Sequence, residues 1–272
     1  MIKIKNQLIS SLYDFDKIIL LTNFNSRGNF MDYPNLKTNI FNKPIIVVEG
    51  IIGAGKTTLT QILEKELDLK AFYEPVDANL YLKEFYAEEA RIRAGGEKPN
   101  KYAFPMQMEL MYQRFAMHKS ASWEVALFNE NKGVIIDRSI FGDRVFAKLL
   151  TKYGNIEPIM WDTYQKTFFI LSQDFMPPQY MIYLDTPVKT AWIRARGDAG
   201  RNREQETPME NDDFYNYLID LKQEHENLIK EIEDGLHSWS KYIEIIRVPW
   251  ENNLDPEEVS PVIKDIKSKI NL

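Results

Sequence analysis

The sequence predicts an α/β fold built on a parallel sheet of five strands, and three observations predict it. Five short, mostly apolar runs have strand length: Ile45 to Val48, Lys70 to Tyr73, Gly133 to Ile136, Tyr180 to Leu184 and Ile243 to Val248. Segments with apolar residues at helical spacing separate them, and that alternation makes the sheet parallel. The first run passes directly into a glycine-rich loop that opens a helix.

That loop reads Gly50-Ile51-Ile52-Gly53-Ala54-Gly55-Lys56-Thr57 and fits G-x-x-x-x-G-K-[ST]. Its glycines let backbone N–H groups converge on an anion, and the helix N-terminus behind them adds positive potential. A lysine at the position of Lys56 reaches the outer phosphates, and a hydroxyl at the position of Thr57 ligates Mg²⁺. Leu59, Ile62, Leu63 and Leu67 then form one helical stripe. Strand, loop and helix follow in the order the motif requires, so the loop is read as a nucleoside triphosphate site.

Composition excludes several alternatives. The chain has 272 residues, enough for one large domain or two small ones, and 44% of them are hydrophobic, enough for a full core. A formal charge of −6 gives no global attraction to nucleic acid or to a membrane surface. There is no cysteine, which removes disulfides, thiolate metal sites and cysteine nucleophiles. A reducing compartment suits that composition, and the cytoplasm is the expected location. No apolar run approaches the ~18 residues of a membrane span. Residues 1–43 read as an N-terminal extension without an assignable role, and 44–272 as the catalytic domain. The extension carries Asp14 and Asp16 and no arginine before Arg27, a poor transit peptide.

After the second strand comes Glu74-Pro75-Val76, a carboxylate where an open α/β sheet exposes its ligand crevice. Asn79 to Ala94 reads as helix with Leu80, Leu82, Phe85 and Tyr86 on its apolar side, ended by Gly95-Gly96 and Pro99. The next helix runs from about Ala103 to Asn129. Gln107 and Arg114 lie within its apolar part, two turns and ~10 Å apart on one face. Judged from this helix alone, they are a solvated pair. The third strand leads into Asp137-Arg138-Ser139, with an acid placed as a partner for a loop-bound Mg²⁺. Asp143 opens the following helix and suits its dipole. Thr163 to Leu171 and Phe214 to Ile232 are helical. Arginines 194, 196, 201 and 203, interrupted by Gly197 and Gly200, read as a mobile lid over phosphates. His118, His225 and His237 lack metal-ligand spacing and are expected to be surface or structural residues.

Taken in order, GIIGAGKTT, YEPV, Gln107 with Arg114, DRS with Asp143, and GRNREQ before a proline resemble the deoxyribonucleoside kinase family. The resemblance covers residues 44 to about 250. It implies a P-loop kinase fold with an arginine-bearing lid, a homodimer, and transfer of the γ-phosphate of ATP to the 5′-hydroxyl of a deoxynucleoside, with Mg²⁺. It implies that Gly50, Ile51, Ile52, Gly53, Ala54, Gly55, Lys56, Thr57 and Thr58 hold ATP, aided by Arg196 and Arg201 of the lid. Glu74 matches the base that takes the 5′-hydroxyl proton, and Arg138 the arginine that positions it. Asp137 and Thr57 match the Mg²⁺ ligands. Tyr86 and Glu204 match the pair that grips the 3′-hydroxyl. Gln107, Arg114 and Asp143 match the residues that read the base edge.

The chain departs from the animal enzymes at Met106, where they carry an aromatic residue, and at Asp77-Ala78-Asn79, where they carry a tryptophan. EPVDAN followed by YL is similar to bacterial deoxyadenosine and deoxyguanosine kinases. An arginine beside an aspartate suits a purine edge, so deoxyadenosine is the expected first substrate. The alternatives are a deoxycytidine-preferring or broader kinase, a thymidylate kinase-like enzyme, or a non-catalytic subunit on the same fold. Val76-Asp77 in place of a glycine pair disfavours a nucleotide acceptor, and the intact Lys56, Thr57, Glu74 and Arg138 disfavour a structural role.

Overall fold

The computed structural model describes residues 43–75, 78–127, 131–195, 211–251, 256–270 and 272. Residues 1–42, nearly all of the N-terminal extension, lie outside that set, as do Val76, Asp77, Arg196, Arg201, Arg203 and Glu204. Five strands, β1 (Ile45–Glu49), β2 (Lys70–Phe72), β3 (Val134–Asp137), β4 (Tyr180–Asp185) and β5 (Glu244–Pro249), pair in the order β2-β3-β1-β4-β5. Every pairing is parallel, with Ile45 opposite Val134, Ile46 opposite Tyr180 and Tyr180 opposite Glu244 among the register positions. All five expected strands are present, each within one residue of its expected ends.

The helices are α1 (Lys56–Leu67), α2 (Leu82–Arg93), α3 (Ala103–Leu127), α4 (Ile140–Lys152), α5 (Pro158–Leu171), α6 (Val188–Ala195), α7 (Asn211–Glu233) and α8 (Pro256–Lys269). The helix α1 packs on β1, β2 and β3, while α3, α4, α5 and α7 pack on one another as a second layer. Residues of β1 are buried along the whole strand, as a central parallel strand covered on both faces requires. Leu59, Leu63 and Leu67 of α1 join that core as their spacing foretold.

Strand order positions the site. The chain runs from β1 out to β2, returns to β3 beside β1, then crosses to β4 on the other side. Ligands of such sheets bind outside the carboxyl ends of the strands where the order reverses, here β1 and β3. Glu49 closes β1 and is fully buried. Its Oε1 accepts the Ser139 N–H at 2.7 Å and the Ser139 hydroxyl at 2.5 Å, which ties the end of β1 to the turn after β3. The Ser139 Oγ in turn caps α4, accepting from Phe141 N at 3.1 Å and Gly142 N at 3.3 Å.

Two sequence expectations are corrected by packing. The residues of α2 expected on an apolar core face are not in the core: Leu80 precedes the helix and is exposed, and no α2 side chain is buried. Leu82, Phe85 and Tyr86 instead wall a cleft. Gln107 and Arg114, read from α3 as solvated, are buried, because α4 packs across that face of the helix. His118 and His225 are structural. Burial draws their rings down to about 4 and about 3, so both are neutral, bonded to the carbonyls of Met176 at 2.9 Å and Leu221 at 2.8 Å.

Gly142 tests the joint between β1 and α4. Alanine for glycine within a helix ordinarily adds about 1 kcal/mol of stability. A Cβ at Gly142 meets Glu49 Oε2 at 2.4 Å, and that carboxylate is buried on every side. The sign therefore reverses for Gly142→Ala. Overpacking of ~1–3 kcal/mol lowers Tm by roughly 5 °C in a chain of this size. A thermal melt with unchanged or raised Tm would refute the joint.

Candidate active site

The loop at residues 50–55 turns on left-handed glycines. Gly53 has φ 76°, and a Cβ there would lie 2.1 Å from the Ala191 carbonyl oxygen. Gly55 has φ 97°, and a Cβ there would lie 2.6 Å from Nε1 of the buried Trp250. Neither conformation nor either approach admits a side chain. Arg194 and Thr186 brace the loop, donating to the Ala54 carbonyl at 3.3 Å and 3.1 Å. Lys56 opens α1 with its ammonium donating back to the carbonyls of Gly50 at 3.0 Å and Ile51 at 2.9 Å. Burial, seconded by the nearby Arg138 charge, pulls that ammonium down to about 7. Thr57 Oγ1 donates to Asp137 Oδ2 at 2.6 Å, which joins the loop to the end of β3.

The residue after Asp137 bends sharply. Arg138 has φ 67°, a left-handed value that costs a non-glycine residue about 1–3 kcal/mol. Its N–H donates to Val48 O at 3.0 Å, and the Ser139–Glu49 bonds hold the next residue. The bend aims Arg138 Nε at Glu74 Oε2, 3.2 Å away. From the other side Arg114 Nε donates to Glu74 Oε1 at 3.0 Å, and Arg114 Nη2 reaches the same oxygen. The ring of Phe146 lies 4.8 Å from the Arg138 guanidinium and 5.8 Å from that of Arg114. Burial pushes the Glu74 carboxyl up, but the charges of Arg114 and Arg138 outweigh it and hold the group down at about 2. Glu74 is a carboxylate at any working pH.

Arg114 also pairs through Nη1 with Asp143 Oδ1. Asp143 is fully buried, accepts the Tyr164 hydroxyl at Oδ2, and holds the Gln107 amide on its backbone oxygen at 3.3 Å. A cleft of about 250 Å³ is lined by Gly53, Gly55, Lys56 and Thr57 of the loop and by Glu74, Tyr86, Gln107 and Arg114. The structure thus brings together Lys56, Thr57, Glu74, Tyr86, Gln107, Arg114, Asp137 and Arg138. Asp143 stands behind Arg114. The expected lid residues Arg196, Arg201 and Glu204 lie outside the described residues.

Sequence reading missed Glu49, Phe146, Tyr164 and Trp250. An acid ending an otherwise apolar strand run was a usable signal for Glu49. Phe146, Tyr164 and Trp250 carried none, since each is an apolar or aromatic residue whose partner is distant in sequence.

Comparison with known proteins follows the same lines. The sequence model of the deoxynucleoside kinase family matches residues 46–271, beyond the segment expected from the motifs. A deoxyadenosine kinase of Dictyostelium discoideum is 34% identical over 219 residues, 80% of this chain and 77% of that protein. A deoxyguanosine kinase of Lactobacillus johnsonii is 37% identical over 166 residues, 59% of this chain and 66% of that protein. The solved deoxyadenosine kinase of M. mycoides with bound dATP superposes with a TM-score of 0.62 at 23% identity, covering 84% of this chain and 100% of that one, a likeness of fold. With a phosphate loop, a twice-paired carboxylate and a polar recess on one cleft, and with the family match across most of its length, this chain belongs to the deoxynucleoside kinase family.

Proposed function

We propose that this kinase transfers the γ-phosphate of ATP to the 5′-hydroxyl of purine deoxynucleosides, deoxyadenosine first, in nucleotide salvage. One observation carries the reading: Lys56 and the Glu74–Arg114–Gln107 set open onto the same cleft. The loop takes the triphosphate, with Lys56 turning from the Gly50 and Ile51 carbonyls to the phosphates. Glu74, held by two arginines, lies where the acceptor hydroxyl must meet the phosphorus. A carboxylate at about 2 is a weak base, which suits a loose transition state in which the proton leaves late. Tyr86 lines the same cleft as Glu74 and Gln107, which supports its assignment to the sugar.

The base recess supports a purine. The buried Gln107 Oε1 has no hydrogen-bond partner among the described residues, and an exocyclic amine would supply one. Arg114 has N–H groups to spare for an acceptor such as N7. The similar Dictyostelium and Lactobacillus proteins are named for deoxyadenosine and deoxyguanosine. Thr57 Oγ1 and Asp137 Oδ2 are hard oxygen donors of the kind Mg²⁺ takes, and with phosphate oxygens and waters they fit that ion. Bound there, Mg²⁺ neutralises charge on the β- and γ-phosphates. Two apolar pairs support a homodimer. Tyr112 and Trp123 on α3, and Ile159 and Ile170 on α5, are exposed, and each pair is eleven residues apart, on one helix face. Among the described residues no helix is long and apolar enough to cross a membrane.

The deciding experiment is ADP release with ATP, Mg²⁺ and each of the four deoxynucleosides or thymidine monophosphate. Deoxyadenosine should lead, deoxyguanosine or deoxycytidine follow, and thymidine trail. Thymidine in first place removes the purine reading; the monophosphate in first place removes the nucleoside acceptor.

Lys56→Met keeps the side-chain volume and deletes the charge. Turnover should fall by at least ~10², the usual loss for one preorganised electrostatic contact. Near-normal turnover would show that the loop is not the phosphoryl-transfer site. Glu74→Gln should lower kcat and leave ATP affinity intact, because Glu74 faces the acceptor end. The sign of the Glu74 shift adds a pH test. A carboxyl lowered from its usual 4.5 to about 2 stabilises the fold above pH 4.5 and loses that contribution as pH falls toward 2. The wild type should therefore lose more stability than Glu74→Gln between pH 5 and 2, and parallel melting curves would contradict it. For assembly, Trp123→Glu with Ile170→Glu should convert a dimer to a monomer in light scattering. A dimer surviving both changes places the interface elsewhere.

A further inference from the structure

Arg114 joins two parts of the cleft that have separate tasks in the reading above. Its Nε and Nη2 donate to one oxygen of Glu74, and its Nη1 faces one oxygen of Asp143. Each carboxylate is pinned on its far side, Glu74 Oε2 by Arg138 at 3.2 Å and Asp143 Oδ2 by the Tyr164 hydroxyl. The result is one unbroken series, Tyr164–Asp143–Arg114–Glu74–Arg138. The Arg114 side chain is 4% exposed and that of Asp143 0%, so little water is at hand to absorb a shift. A guanidinium is planar and its N–H groups point in set directions. Rotation that improves its fit at one end spoils it at the other.

We propose that Arg114 is a positioning residue that couples the base recess to the Glu74 carboxylate, so that the identity of the base is read in turnover as well as in binding. The proposal rests on the deoxynucleoside kinase reading, with Glu74 as the proton acceptor. A base whose edge matches Gln107 and Arg114 leaves the series aligned, with Glu74 at the 5′-hydroxyl. A mismatched base draws the guanidinium off line and the carboxylate moves with it. The step at risk is fully balanced. The 5′-oxygen forms a bond to the γ-phosphorus as the bond to the β,γ-bridging oxygen breaks, ADP leaves, and the hydroxyl proton passes to Glu74.

The test measures kcat and KM at saturating ATP for the best and the poorest measurable deoxynucleoside, in the wild type, Arg114→Met and Tyr164→Phe. The wild-type kcat values should differ by at least ~10-fold, a factor worth one well-formed contact. In Arg114→Met the two kcat values should converge to within about twofold, mainly through loss for the better substrate. This variant leaves Asp143 buried without its counter-charge, and a melting curve will show whether it folds. Tyr164→Phe removes one hydroxyl at nearly constant volume and touches neither Glu74 nor the phosphate loop. It should move the kcat ratio toward one with the KM for ATP unchanged. Wild-type kcat values that are equal, with all discrimination in KM, overturn the proposal. So does a kcat ratio that folded Tyr164→Phe leaves unmoved. A wild type that phosphorylates no deoxynucleoside refutes the functional reading itself, a separate result.

Discussion

One partly buried carboxylate shared by two buried arginines governs this site. Removing ions from water costs several kcal/mol each, and only close pairing offsets it. Arg114 and Arg138 are 3% and 5% exposed, too deep to stand without counter-ions. Glu74 answers both, while Asp143 answers the second edge of Arg114. The arrangement holds Glu74 ionised and in place, since turning the carboxylate breaks its bonds to Arg114 through Oε1 and to Arg138 through Oε2. The positions of β2, α3 and the turn after β3 are bound together by that requirement.

The turn after β3 shows what supports the strain. Arg138 sits at φ 67° with a full side chain. The cost of that conformation is met locally, by its bond to Val48 and by the two bonds from Ser139 to Glu49. Glu49 therefore serves the site without lining the cleft. It anchors the backbone that aims Arg138 at Glu74 and keeps Asp137 beside Thr57. Gly142 leaves the space the Glu49 carboxylate needs. Four residues from three elements thus fix one guanidinium.

Periodicity was a sound guide to the sheet and a poor one to the cleft. Parallel strands are apolar on both faces, so their runs stand out whatever lies beside them. Helix faces give no such certainty. Gln107 and Arg114 sit at positions that on a solvated helix face water, and here they face Asp143 and Glu74. Leu82, Phe85 and Tyr86 have the spacing of an apolar stripe and instead line the cleft. In both cases the helix pattern was read correctly as a pattern, and the neighbour that decided its meaning was an element far along the chain.

By itself the sequence determined the five parallel strands, the phosphate loop and the identity of the polar residues that meet around it. These are local matters: an apolar run, a glycine spacing and each motif of the ordered set are complete within a few residues. Tertiary structure alone decided that Arg114 bridges Glu74 and Asp143, that Tyr164 completes that series from α5, and that Glu49 holds the Arg138 turn. Each of those contacts joins residues 21 to 90 positions apart. Burial then sets their strength, because a charge pair excluded from water is worth far more than the same pair on a surface. Neither the pairing nor the exclusion of water is written in any single stretch of the chain; both arise when α4 closes over α3 beside the reversal point of the sheet.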